Sequence, residues 1–183
     1  MINISTKTGD SGQTGLANGQ RLAKSAPIFE VIGNIDELNS WLGLVVAKLG
    51  PTFRKEKTFL LMIQQELFVL GGELAKAKNC LMDKELLLKI EKRTDQLQQK
   101  MAEGWHKQFL LPGGTEMAAE IDVARTVCRR AERSLVDLSE VEEVRPLLLK
   151  TLNRLSDYLY VFRCFVNWTS QVEEKKFERN KVS

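Results

Sequence analysis

A single histidine, His106, stands among 183 residues, and that scarcity narrows the chemistry at once. A ferritin-like di-metal centre needs two Glu-x-x-His units and cannot be built from this chain. One isolated histidine is more often structural or exposed than catalytic. The cysteines Cys80, Cys128 and Cys164 are odd in number and widely spaced. They match neither a disulfide framework nor a metal-binding pattern, and read as reduced thiols. No run of about 18 apolar residues is free of charge, which argues against a membrane span. The opening stretch MINISTKTGD lacks the basic-then-apolar order of a secretory signal, so a cytoplasmic location is the expectation. The formal net charge of +3 is too small to imply nucleic acid, and it neither argues for nor excludes an anionic ligand. A GxxxxGK(S/T) loop and a parallel-sheet pattern are both missing, which disfavours a P-loop kinase.

What is present is helical period. The chain is most simply one domain over residues 1–183, long enough for a sizeable core. From about Phe29, Ile32, Ile35, Leu38, Leu42 and Val45 recur at three- and four-residue steps. Gly50-Pro51 ends this segment. A second helix is predicted over 52–78, with Leu60, Ile63, Leu67, Leu70 and Leu74 inward, and with Gly71-Gly72 allowing close packing. A third, about 84–103, places Leu87, Ile90, Thr94, Leu97 and Met101 on one side. After a break at 104–115, Thr115 is placed to cap a helix over 116–138. That helix carries the clearest stripe in the chain: Met117, Ile121, Ala124, Cys128, Ala131, Leu135 and Leu138. The last helix, roughly 141–170, suits Pro146 in its first turn, which moves its start towards 145. The fold expected is all-α, an antiparallel bundle of about five helices over 29–170. An irregular segment precedes it at 1–28, and a polar tail, 171–183, follows as a solvated end or fraying helix.

The polar residues within these helices leave two readings open. Arg125, Arg129 and Glu132 follow a four- then a three-residue step and share a face, with Arg130 and Arg133 beside them. A solvated face closed by Arg–Glu pairs explains this, at roughly 0–1 kcal/mol per exposed pair. Convergence of several guanidinium groups on phosphate oxygens explains it too. Asn153 and Asp157, with Arg154 beside them, suit either bundle specificity or a contact to a base, ribose or metal-bound phosphate. Asp36 and Asn39 pose the same question, and Asp36 could instead act on an early helical turn. In the opening segment, Gly9, Gly12 and Gly15 alternate with Thr8, Asp10, Ser11 and Thr14. That pattern suits a tight turn exposing backbone N–H groups; a disordered tail is the competing reading.

Five stretches then appear in order: TKTGDSGQTGLANGQRLAK, GNIDELNSWLGL, FLLPGG, RTVCRRAERSLVDL and LNRLSDYLYV. Together they resemble the successive motifs of the PduO-type ATP:cob(I)alamin adenosyltransferases, across nearly the whole chain. The resemblance implies a bundle of about five helices assembled as a homotrimer with active sites between subunits. It implies that Thr6, Lys7, Thr8, Gly9, Asp10, Gly12, Thr14 and Gly15 wrap the phosphates of ATP, and that Lys24 is the phosphate-binding lysine. Arg125 and Arg129 match nucleotide-site arginines, Arg130 and Glu132 lie in the same signature, and Asn153 matches an ATP-contacting asparagine. Asp36 matches the acidic residue that pairs with Arg125 across the interface. Phe109 matches the aromatic that covers the lower face of the corrin and favours four-coordinate cob(II)alamin.

The reaction implied transfers the 5′-deoxyadenosyl group of ATP to the cobalt of cob(I)alamin and leaves triphosphate, helped by Mg²⁺. The nucleophile then belongs to cobalamin, so no catalytic Ser, Cys or His is expected and no protein metal site is assigned. Further partners implied are a flavin-dependent reductase and an adenosylcobalamin-dependent acceptor enzyme. Two positions depart from the family pattern. Ile28 stands where a K-x-x-P-R stretch has its basic residue, and Ile32 where YGxxDELN has its tyrosine. Ile28 is the feature that most favours the alternative, a corrinoid- or nucleotide-binding carrier with little turnover.

Overall fold

The computed structural model describes residues 7–101, 103–105 and 109–178; Thr6 and His106 lie outside them. Five helices form the bulk: α1 (Pro27–Lys48), α2 (Arg54–Leu74), α3 (Glu85–Gln98), α4 (Glu116–Ser139) and α5 (Pro146–Thr169). A single 3-10 turn, Pro51–Phe53, follows the Gly50-Pro51 break before α2. The expected boundaries of α4 and α5 hold to within a residue or two. Thr115 Oγ1 accepts a hydrogen bond from the Ala118 N–H at 3.1 Å, and Pro146 occupies the first turn of α5.

Side-chain pairs fix the helix directions. Asn34 meets Ser134 and Lys48 meets Glu116, so α1 and α4 run antiparallel. Glu132 meets Asn153 and Asp122 meets Arg163, so α4 and α5 do likewise. Helix α4 packs on α1 and α5, α2 packs on α1, and α3 packs on α5. One continuous apolar core joins all five. The predicted stripe of α2 is buried throughout, as are Ile121 through Leu138 of the α4 stripe; in α5, Leu148, Leu152, Leu155, Leu159, Phe162 and Val166 form the buried stripe. In α3 it is Leu86, one position earlier than Leu87, that enters the core. Ile28 is 1% exposed and also belongs to the core.

Four expectations fail, each for a physical reason. Helix α3 stops at Gln98 rather than 103, because the chain tightens there into turns in which the Lys100 and Met101 N–H groups reach the Leu97 and Gln98 carbonyls. Helix α2 stops at Leu74 rather than 78, because the chain folds back sharply through Lys76 and Asn79, both at positive φ. Gly72 makes that reversal feasible: a Cβ there would lie 2.7 Å from Cys80 Sγ. The opening segment is not wholly irregular. β1 (Gln13–Gly15) and β2 (Arg21–Ala23) form an antiparallel hairpin, too short for an alternating pattern to register. Its turn buries Leu16, and the Ala17 N–H donates to the Ala75 carbonyl at the end of α2. Finally, the tail is solvent-exposed, as expected, at every described residue but Glu174, yet it is neither loose nor a fraying helix. It runs extended and pairs antiparallel with the segment before α4, Leu110 opposite Lys176. Among the described residues no helix is long and apolar enough to cross a membrane.

Candidate functional site

The arginine-bearing helix is aimed by the turn that precedes it. Gly113 and Gly114 both adopt positive φ, 130° and 100°, and wrap the side chain of Asn167 on α5. A Cβ on Gly114 would sit 2.3 Å from Asn167 Nδ2, so only glycine fits. Asn167 Nδ2 donates to the Gly113 carbonyl and its Oδ1 accepts from the Thr115 N–H, each at 2.9 Å. A buried asparagine thus takes up backbone groups that the tight turn would otherwise leave unsatisfied.

One turn into α4, Asp122 divides its carboxylate between two arginines. Oδ1 accepts from Arg125 Nε at 2.8 Å, and Oδ2 from Arg163 Nε at 2.9 Å. Arg163 is 1% exposed and Asp122 5%. Charges this deep persist only when each is paired and hydrogen-bonded. Arg163 completes its set by donating to the Leu111 carbonyl at 2.9 Å and to Glu174 of the tail. Among the described residues only Nε of Arg125 is engaged, so its terminal NH₂ groups can meet a second acceptor. Beside it an open hollow of about 290 Å³ is lined by Pro112, Gly113, Ala119, Asp122, Val123, Arg125 and Thr126.

Farther along α4 the charged residues take different partners. Asn153 Nδ2 donates to Glu132 Oε1 at 2.7 Å, so Glu132 holds an asparagine of α5 rather than an arginine. Arg130 pairs with Glu37 and donates to Asn34 Oδ1 at 3.1 Å on α1. Arg129 is exposed, and its guanidinium makes no ion pair among the described residues. Asp36 is exposed on α1. At the start of α4, the hydrogen bond from Lys48 holds the Glu116 carboxyl below its ordinary range. The thiols in this region are inert by burial: Cys164 is pushed up to about 11 and Cys128 higher still.

The Gly-rich segment is a pair of turns closed on the hairpin. Lys7 and Gly12 take positive φ, the Asp10 N–H reaches the Lys7 carbonyl, and the Gly12 N–H reaches that of Gly9. The Lys24 N–H donates to the Gly12 carbonyl at 2.9 Å, and Arg21 donates to the Thr8 carbonyl at 2.8 Å. The Lys24 ammonium lies over Gly9, 3.2 Å from where a Cβ would stand. Lysine and loop are therefore already apposed. Asp10, Gly12 and Gly15 are solvent-exposed, while Gly9 and Thr14 are half-buried.

Phe109 is 85% exposed at the head of the α4 turn, and Phe177 beside it in the tail is 59% exposed. The Phe177 N–H donates to the Phe109 carbonyl at 2.7 Å, and the Leu111 N–H to that of Lys175 at 2.8 Å. Phe109 is thus held outward by a paired backbone and does not cover the monomer core.

The family model for cobalamin adenosyltransferases matches residues 4–166. The chain belongs to this family. A corrinoid adenosyltransferase of Bacillus subtilis (strain 168) is 41% identical to it, over 99% of this chain and 95% of that protein. A phenylalanine-to-alanine variant of the PduO-type ATP:corrinoid adenosyltransferase of Lactobacillus reuteri, complexed with cobalamin and ATP, is also similar. It superposes with a TM-score of 0.90 at 33% identity, covering 97% of this chain and 100% of that one. An arginine-to-lysine variant of the same enzyme, complexed with ATP, gives 0.88 at 34% identity, covering 96% and 100%.

Within this adenosyltransferase the structure brings together Asp122, Arg125 and the Phe109 segment, and separately Glu132 with Asn153. It sets Lys24 against the Gly-rich turn, whose ties run to its own hairpin and to the end of α2. Arg163, Asn167 and Glu174 were not legible as site residues. One signal was available: Arg163 is a charge set among Leu159, Phe162 and Val166, on the most thoroughly buried helix.

Proposed function

We propose that these residues form the half of an active site that one subunit contributes to adenosyl transfer. The chain is a corrinoid adenosyltransferase: it moves the 5′-deoxyadenosyl group of ATP onto the cobalt of cob(I)alamin, giving adenosylcobalamin and triphosphate. The observation that carries the assignment of residues is the Asp122 relay. It places an arginine with spare donors beside the same turn that holds an aromatic face out to solvent.

The cobalt supplies the electron pair. A Co–C bond forms at C5′ as the C5′–O bond breaks, and that pair leaves on the triphosphate. The protein needs no nucleophile of its own. Its task is to hold C5′ over cobalt and to meet the charge on the departing oxygens. Thr6, Lys7, Thr8, Gly9, Asp10, Gly12, Thr14 and Gly15 enclose the phosphates, and Lys24 lies against that turn as a cation. Arg125 and Arg129 approach from α4, where exposed Arg129 and the unused NH₂ groups of Arg125 fit phosphate oxygens bidentately. Asn153, held by Glu132, contacts the nucleoside, and Arg130 braces α4 on α1.

Phe109 covers the lower corrin face, displacing the lower ligand so that cob(II)alamin becomes four-coordinate and easier to reduce. The subunit acts in a homotrimer, where Asp36 of one subunit pairs with Arg125 of the partner subunit. Mg²⁺ supplies further charge neutralisation at the triphosphate. Mg²⁺ of this kind is held chiefly by phosphate oxygens and water, with one or two carboxylates at most. The surroundings are a cytoplasm with a flavin-dependent reductase to supply the reduced corrinoid and an adenosylcobalamin-dependent enzyme to receive the product.

The test is an anaerobic assay with ATP, Mg²⁺ and chemically reduced cobalamin, following the corrinoid spectrum and triphosphate together. Equal amounts of adenosylcobalamin and triphosphate are expected. Binding of both substrates without product would instead mark a carrier.

A further inference from the structure

Arg163 touches neither proposed substrate, yet it is among the largest fully buried side chains of the described residues. Its four donations reach three separate parts of the molecule. Nε meets Asp122, whose other oxygen holds Arg125. Nη2 meets the Leu111 carbonyl, two residues from Phe109. Nη1 meets Glu174 in the tail and, more weakly, the neighbouring Cys164 Sγ at 3.4 Å. Glu174 also accepts from Asn167 Nδ2 at 3.0 Å. Two arginines and two carboxylates therefore close a charge-balanced hub, and the tail strand it anchors is hydrogen-bonded to Phe109 and Leu111.

A buried guanidinium costs too much desolvation to be a cheap way of filling space. What it provides here is a fixed distance between two groups that act on different substrates. We propose that Arg163 is a positioning residue that sets Phe109, on the corrin side, and Arg125, on the phosphate side, in one geometry, with Glu174 latching the tail behind it. The inference rests on the roles given above to Phe109 and Arg125. Its physical rationale is that attack at C5′ needs the corrin plane and the triphosphate placed to within a fraction of an ångström. A single side chain bonded to both mounts removes the relative motion that two independent supports would allow.

Two variants test it. Glu174→Ala releases the tail but leaves the Asp122–Arg163 pair in place. Amide exchange at residues 109–111 and 175–177 should speed up by about tenfold or more as the latch opens. The fraction of four-coordinate cob(II)alamin formed with ATP should fall, while KM for ATP stays within about twofold. Arg163→Lys keeps the charge but cannot reach all three acceptors. It should lose the four-coordinate species and also lower kcat with supplied cob(I)alamin by about tenfold or more. Unchanged exchange in Glu174→Ala overturns the latch. Faster exchange with a native four-coordinate fraction and native kcat reduces the hub to a stabilising element and overturns the positioning role. Phe109→Ala is the control: if it leaves the four-coordinate species intact, the reading of Phe109 fails by itself. The hub is then judged on exchange and on kcat of Arg163→Lys. Should Arg163→Lys not fold, Glu174→Ala decides.

Discussion

The segment before α1 and the turn before α4 are both glycine-rich, both carry groups proposed above to meet a ligand, and are built in opposite ways. The first is a surface structure: its turns are held by backbone hydrogen bonds of 2.8–3.3 Å, and most of its residues are exposed. The second is threaded through buried side chains, with Asn167 at 0% and Arg163 at 1% exposure supporting carbonyls at Gly113 and Leu111. Segments with few buried contacts open locally at little free-energy cost, whereas segments tied into the core open only with it. The nucleotide loop is thus suited to ordering around a ligand that comes and goes. The corrin side is prepared in advance, where geometry bears on reactivity.

Arg125→Ala breaks the comparison hardest, because it removes the group through which the prepared side reaches the phosphates. Loss of one such donor should cut kcat by about 100-fold. Asp122 keeps Arg163 as a partner, so the far-ultraviolet circular dichroism should stay native. Native turnover would remove Arg125 from the site. Next in size is Gly114→Ala. A Cβ 2.3 Å from Asn167, on a backbone at φ +100°, should cost about 2–4 kcal/mol by urea denaturation. The matching change on the exposed side is Gly12→Ala, also at positive φ (79°) but with nothing within 4 Å. It should cost only about 1–2 kcal/mol of local strain. That strain should surface as a higher KM for ATP with kcat and the global transition preserved. Equal global destabilisation by the two substitutions would erase the distinction between the loops. The mildest probe is alkylation of the native protein near pH 8. Half-exposed Cys80 should be modified first, with Cys128 and Cys164 protected until unfolding by burial that raises both thiols.

The sequence made some of this contrast readable and hid the rest for one reason: range. Helices α4 and α5 are visible because burial repeats every three or four residues, and Thr115 and Pro146 act on their immediate neighbours. Lys24 and the Gly-rich turn are likewise close in the chain. The hub is different. Arg163 and Leu111 are 52 positions apart, and Asp122 and Arg163 are 41. Nothing near Glu174 announces that a charged tail will be drawn against the bundle. The same range explains the misread end, since a strand whose partner is remote in sequence shows only its own composition. Ile28 was legible as a departure but not as a core residue, because one apolar side chain at a helix start carries no period.

The paired tail also bears on how the protein can be handled. A dye or surface tether attached at Glu178 would pull on a segment bonded directly to the Phe109 and Leu111 backbone. The load would reach the aromatic before it reached the bundle. An attachment at exposed Thr52, in the turn between α1 and α2, would instead be borne by the bundle itself, away from the hairpin and from the turn before α4.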